Sequence, residues 1–135
     1  MTGAKAFAKD HEVIMANIKL NLNLDMLAGS KKTTKLRYIS RGLNNLLTES
    51  NIERLQDFQN ASDVPIKKGI KVKSYRGKRH IKWLMSSEHG VFHRAGIPFI
   101  YFGMGTHTNY HQYSDIFSHI NHDLFTWRLM LFTIS

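Results

Sequence analysis

The sequence predicts an α/β layered fold, and three stretches carry that prediction. Residues 17–25, NIKLNLNLD, alternate apolar and polar side chains without a break, the period of two that marks a strand. IPFIYFG, residues 97–103, is nearly all apolar and rich in β-forming types, as expected of a strand covered on both faces. Ile120, Leu124, Trp127, Leu131 and Ile134 recur at spacings of four, three, four and three, one face of a helix. Strands and helices in alternation around a buried strand describe packed α and β layers.

The elements follow in order. In the first strand Ile18, Leu20, Leu22 and Leu24 share one side, while Asn17, Lys19, Asn21, Asn23 and Asp25 share the other. MLAGSKK then turns, and KLRYIS (35–40) reads as a second, short strand. Leu43, Leu46 and Leu47 suggest a helical turn. Ser50 followed by Glu53 has the form of a capping box, opening a helix with Ile52, Leu55 and Phe58 on its apolar face. NASDVPIKKG reads as a loop, and IKVKSY alternates as an edge strand. SEHGVFHRAG (87–96) fits a short helix stopped by Gly96, and it feeds directly into IPFIYFG. MGTHTNYHQYSD is polar and turn-like, and Asn121 is placed to cap the last helix. No internal repeat or linker divides the chain.

Bulk properties narrow the classes. A chain of 135 residues, 42% hydrophobic, is long enough for one domain with a real core. No apolar run approaches the roughly 18 residues of a membrane span, and the first thirty residues lack the apolar segment of a signal peptide. With no cysteine, disulfides, thiolate metal sites and cysteine nucleophiles are excluded, so any metal must be held by histidine and carboxylate.

The net charge of +9 raises nucleic acid as a partner. Much of it lies in KKGIKVKSYRGKRHIK (67–82), which contains no acid. Lysines on a solvated strand edge, where they discourage edge pairing, explain such a run. A phosphate-binding stripe with Tyr75 and Trp83 as stacking partners is the rival reading. The solvated edge is the preferred reading of the two, so a nucleic-acid partner is disfavoured.

The chemistry-bearing residues concentrate late in the chain. Six of the eight histidines (His89, His93, His107, His111, His119 and His122) fall between positions 89 and 122. With Asp25 and Asp115 they form the one dense metal-capable set, and imidazole and carboxylate are ordinary zinc ligands. His89 and His93 lie four apart but lack a Glu between them. They read as a His89 bonded to a neighbouring carboxylate and a His93 at the surface. His119 and His122 begin the last helix and read as solvent-facing. In NYHQYSD, His111 precedes Asp115 by four residues in a loop directly after the buried strand, the arrangement of an imidazole oriented by a carboxylate. Sites in α/β sheets gather at the carboxyl ends of strands, so Asp25 and this loop are expected to meet. No Ser-His-Asp set, phosphate loop or dinucleotide fingerprint can be read.

SSEHGVFHRAGIPFIYFGMGTHTNYHQYSDIF, together with NLDM at 23–26, resembles a family of zinc-dependent exopeptidases that includes bacterial leucyl aminopeptidase, aminopeptidase Y and the glutaminyl cyclases. That family shows a Ser-Asp-His block, a helix, a Gly-Ile-Pro strand, and a Tyr-His followed four residues later by Asp. An Asn-Leu-Asp-Met strand end is its other signature. The resemblance covers most of the chain, with residues 41–82 contributing little.

The resemblance implies a three-layer α/β/α fold with a mixed central sheet, and a site of two zinc ions. In the family those ions are held by a His, a bridging Asp, a Glu, a second Asp and a final His, with a further Glu as general base. Asp25 matches the second Asp and His111 the final His. Asp115 matches the supporting Asp, Glu88 and His89 match the Asp-His pair, and Tyr110 lines the substrate pocket. Glu88 departs from the usual Asp by one methylene.

MTGAKAF resembles the tail of the Gly-Leu-x-Gly stretch that follows the family's Glu-Glu pair. Residues 1–135 are therefore expected to be the C-terminal half of a single catalytic domain, with the general-base Glu upstream of Met1 and no catalytic residue within the chain. The expected function is aminopeptidase-like hydrolysis of peptide substrates, with weak zinc binding and no activity from this chain alone. A carboxypeptidase-like or cyclase activity stays open. An exposed sheet edge is expected to favour self-association. A small nucleic-acid-binding module and a non-catalytic remnant are the alternatives. The compartment stays open, since many relatives are exported and any export signal would precede Met1.

Overall fold

Parallel and antiparallel pairs combine in one four-stranded sheet of order β1-β4-β2-β3, as the α/β class predicts. The strands are β1 (Asn21–Leu24), β2 (Leu36–Arg41), β3 (Ile66–Lys68) and β4 (Phe99–Gly103). The helices are α1 (Thr2–Asp10), α2 (Glu12–Asn17) and α3 (His89–Arg94). This computed structural model describes residues 2–33, 35–51, 53, 54, 57, 66–68, 83–123, 125 and 126. β4 is parallel to β1 and antiparallel to β2, and β2 is parallel to β3.

β1 is shorter than its alternation suggests. Its pairing partner begins at Phe99, opposite Asn21, and the Asn21 N–H donates to the Pro98 carbonyl at 2.9 Å. Pro98 has no N–H to carry the ladder further back. Upstream, the chain is helical through Asn17, whose side-chain amide donates to the Val13 carbonyl at 2.8 Å. α1 and α2 occupy a stretch without a readable apolar period, and no residue of either helix is buried.

Two further expectations change. Thr48, rather than Ser50, stands at the start of the following helix. Its hydroxyl accepts the Asn51 N–H at 3.4 Å, while residues 49–51 are already helical. The segment read as a loop, NASDVPIKKG, contains β3, which pairs Leu36 with Ile66 and Tyr38 with Lys68. The alternating IKVKSY, the basic run beyond Lys68 up to residue 82, and Ile52, Leu55 and Phe58 lie outside the described residues, as do Leu124, Trp127, Leu131 and Ile134.

The helix stop at Gly96 is as read. Gly96 has φ +77°, its N–H donates to His93 at 3.0 Å, and the Ile97 N–H reaches back to Phe92 at 3.0 Å. These two bonds form a Schellman motif, which turns the chain from α3 into β4. Asn121 precedes the helical residues 122 and 123, and its carbonyl accepts the Phe125 N–H at 2.9 Å.

β4 is packed on both faces, as its composition predicts. Phe99 and Tyr101 form one cluster with Met26, Ile39 and Leu84. Phe102 joins Leu36, Leu27, Met104, Tyr38 and Phe125 in the other. The leucine side of β1 does not share in either. Leu20, Leu22 and Leu24 are 38%, 52% and 41% exposed, whereas Asn21 and Asn23 are half-buried.

Candidate functional site

The parallel pairing of β1 and β4 sends both chains off the same edge of the sheet. One step beyond the Leu24–Phe102 register, the Asp25 N–H still donates to the Phe102 carbonyl at 3.1 Å. β4 continues through Gly103 into the histidine-bearing segment. Two contacts tie the segments together: the Lys31 N–H donates to the His119 carbonyl at 3.1 Å, and Leu27 packs with Met104.

Backbone strain falls on one candidate ligand and directly beside the other. Among the described residues, the non-glycine positions with positive φ are Met26 (57°), directly after Asp25, and His111 itself (54°). A side chain in that region costs on the order of 1 kcal/mol or more, and such residues cluster at functional sites.

Asp25 is half-buried and His111 is exposed. The half-buried Tyr110 ring lies 4.1 Å from that of His111 and meets His107 edge-on at 6.3 Å. Nδ1 of His107 is buried without a hydrogen-bond partner among the described residues. Asp115 is exposed, and its N–H donates to the Gln112 carbonyl at 3.0 Å. His119 and His122 are exposed as read; Nδ1 of His119 lies 2.7 Å from the Ser114 carbonyl oxygen.

The Ser-Glu-His block lies at the start of α3. Glu88 is half-buried, and its carboxylate accepts the Ser87 hydroxyl at 2.8 Å. His89 is fully buried, with the Phe99 and Tyr101 rings at 4.7 and 4.9 Å. Its Nδ1 faces the Asn23 amide at 3.3 Å, a partner that the expectation of a carboxylate did not include. The same amide donates to the Ser87 hydroxyl at 3.1 Å. His93 is half-buried rather than at the surface, edge-on to Phe99 at 5.4 Å.

Tyr101 is the residue that sequence reasoning missed. Its side chain is fully buried, and its hydroxyl donates to the Asp25 carbonyl at 3.5 Å. Burial pushes the phenol pKa up, and Asp25, Tyr110 and Glu88 nearby push it further, so the group stays a neutral donor. Gly103 makes room for this contact. A Cβ there would sit 2.4 Å from the Tyr101 hydroxyl and 2.6 Å from the Asp25 carbonyl oxygen. The available signal was small: Tyr101 is the one polar-tipped side chain in IPFIYFG.

Against known families, the profile of peptidase family M28 matches residues 1–130. The chain belongs to this family of zinc-dependent peptidases, and its class is that of a metallopeptidase-type hydrolase. No curated protein matches it. Among solved structures, a futalosine hydrolase mutant of Helicobacter pylori strain 26695 aligns at 13% identity with a TM-score of 0.47, covering 98% of this chain and 72% of that one. A likeness at that level carries no argument.

The family implies zinc, so the donor set must be weighed. Among the described residues, no group of three or more His, Cys, Asp or Glu side chains is gathered to hold a metal ion. A catalytic zinc takes about three protein ligands and keeps one position open. The described residues by themselves do not fit a complete zinc site, and no hydrolytic step follows from them alone. Among the described residues, no helix is long and apolar enough to cross a membrane.

Proposed function

We propose that this chain is the C-terminal half of an aminopeptidase-like exopeptidase domain, contributing two ligands to a two-zinc site completed by residues outside the 135. Asp25 and His111 are those ligands. Asp115 supports His111, Glu88 and His89 lie behind the site, and Tyr110 lines the pocket for the peptide. The observation that supports this reading best is the parallel β1–β4 pair, from whose shared edge Asp25 and the His111 segment both emerge.

Zinc in such a site lowers the pKa of bound water from ~15.7 toward ~7. The residues of this chain act on position rather than on the proton. The Tyr101 hydroxyl and the Gly103 backbone fix the Asp25 main chain, and the left-handed turn at Met26 sets the direction in which the chain leaves the strand. A general base that takes a proton from water and returns it to the leaving amine is not among the residues assigned here.

The test is to read the coding frame upstream of Met1. A continuous frame containing a Glu-Glu pair, an Asp and a His supports the half-domain reading. Stop codons in that frame overturn it, and function must then be sought in binding.

A further inference from the structure

We infer that Glu88 sets the tautomer of the buried His89 through a one-way chain of hydrogen bonds. The links of that chain, Ser87, Asn23 and His89, are positioning residues for the end of β1 that carries Asp25. The inference needs neither metal nor the rest of a catalytic domain, so it can fail while the reading of the site survives, and the reverse.

The chain has one direction because its end can only accept. An ionised glutamate offers acceptors and no donor, and Glu88 takes the Ser87 hydroxyl at 2.8 Å. That hydroxyl has a single proton. Committed to Glu88, it meets its other neighbour as an acceptor, and that neighbour is the Asn23 side-chain nitrogen at 3.1 Å. The same nitrogen lies 3.3 Å from His89 Nδ1. Its two hydrogens serve one partner each, so Nδ1 accepts. His89 is fully buried, and burial disfavours an imidazolium. A neutral ring that accepts at Nδ1 carries its proton on Nε2.

Turning the Asn23 amide over gives the opposite arrangement. Its carbonyl oxygen would face Ser87 and His89, and Nδ1 would be the donor. The Asn23 oxygen and the Glu88 carboxylate would then compete for the one proton of Ser87, a residue only 3% exposed. One acceptor would be left facing another away from water, which is costly.

The same contacts hold the end of β1. Asn23 stands two residues before Asp25 on the same side of the strand, while Ser87 and Glu88 lead directly into α3. The His89 ring lies 4.7 Å from Phe99 and 4.9 Å from Tyr101, and the Tyr101 hydroxyl donates to the Asp25 carbonyl at 3.5 Å. β1 is thus held at Asn23 by its side chain and at Asp25 by its main chain.

The test is side-chain NMR of the ¹⁵N-labelled chain near neutral pH, where protonated and bare ring nitrogens give well-separated shifts. His89 is assigned through its contacts to the Phe99 and Tyr101 rings. In the parent chain Nε2 is expected to be protonated and Nδ1 bare, and Glu88→Asp, which keeps the acceptor, should preserve this. Glu88→Leu removes the acceptor and frees the Ser87 hydroxyl to turn toward Asn23, so the Nδ1-protonated form should appear. Ser87→Ala cuts the chain at its middle and should do the same. A parent chain with Nδ1 protonated would overturn the inference at once, whether or not the variants fold. So would a tautomer that neither Glu88→Leu nor Ser87→Ala alters, since packing rather than Glu88 would then set it.

Discussion

Three residues set the direction in which the chain leaves β1: Tyr101 from the next strand, Gly103 opposite, and Met26 in the left-handed region. The Tyr101 hydroxyl occupies the space that a Cβ on Gly103 would need, with the Asp25 carbonyl oxygen against the same point. Neither group yields easily, since one is the tip of a fully buried ring and the other is backbone. Gly103→Ala is therefore expected to destabilise the fold by about 1–3 kcal/mol, the usual cost of overpacking a full core. Urea unfolding measures it; a change within about 0.5 kcal/mol would show that the strand gives way there. Asp25, His111 and Asp115 were legible as candidates because their chemistry is carried by residue type and their spacing is visible. Tyr101 was not, because a tyrosine in an apolar run carries no sign of what its hydroxyl meets.

For the elements, the lesson of β1 is that alternation reports a strand but not its orientation. Leu20, Leu22 and Leu24 are open while Asn23 reaches Ser87, just before α3, and His89, its first residue. Sequence hydropathy alone ranks a leucine above an asparagine in a strand core, and here the order inverts. Asn23→Ala is expected to cost about 1–2 kcal/mol through the hydrogen bonds it deletes. Leu22→Ala is expected to stay within about 0.5 kcal/mol, as for exposed positions in general. Denaturant unfolding at a concentration where the chain is monomeric decides the ranking. The reverse order would mean that the leucine row is the buried one. Elements with local punctuation were read well, since the Gly96 stop and the apolar run of β4 each depend on near neighbours. β3 and the extent of β1 were not, because the first depends on pairing with Leu36 and the second on what Pro98 cannot donate.

The whole molecule combines a family assignment across residues 1–130 with a described donor set smaller than the family's chemistry needs. The α/β class was legible from the alternation of strands and helices, whereas the parallel pairing of β1 with β4 was not, since it depends on contacts far apart in sequence. Whether a metal binds depends on groups that no spacing in this chain specifies. The most direct measurement is zinc titration of the chain by equilibrium dialysis, beside Asp25→Ala and His111→Ala. The account predicts weak binding to the parent chain, reduced about tenfold or more by either substitution, and no turnover of an aminoacyl chromogenic substrate. Zinc binding that both substitutions leave unchanged would contradict it, and so would two tightly held ions with measurable hydrolysis.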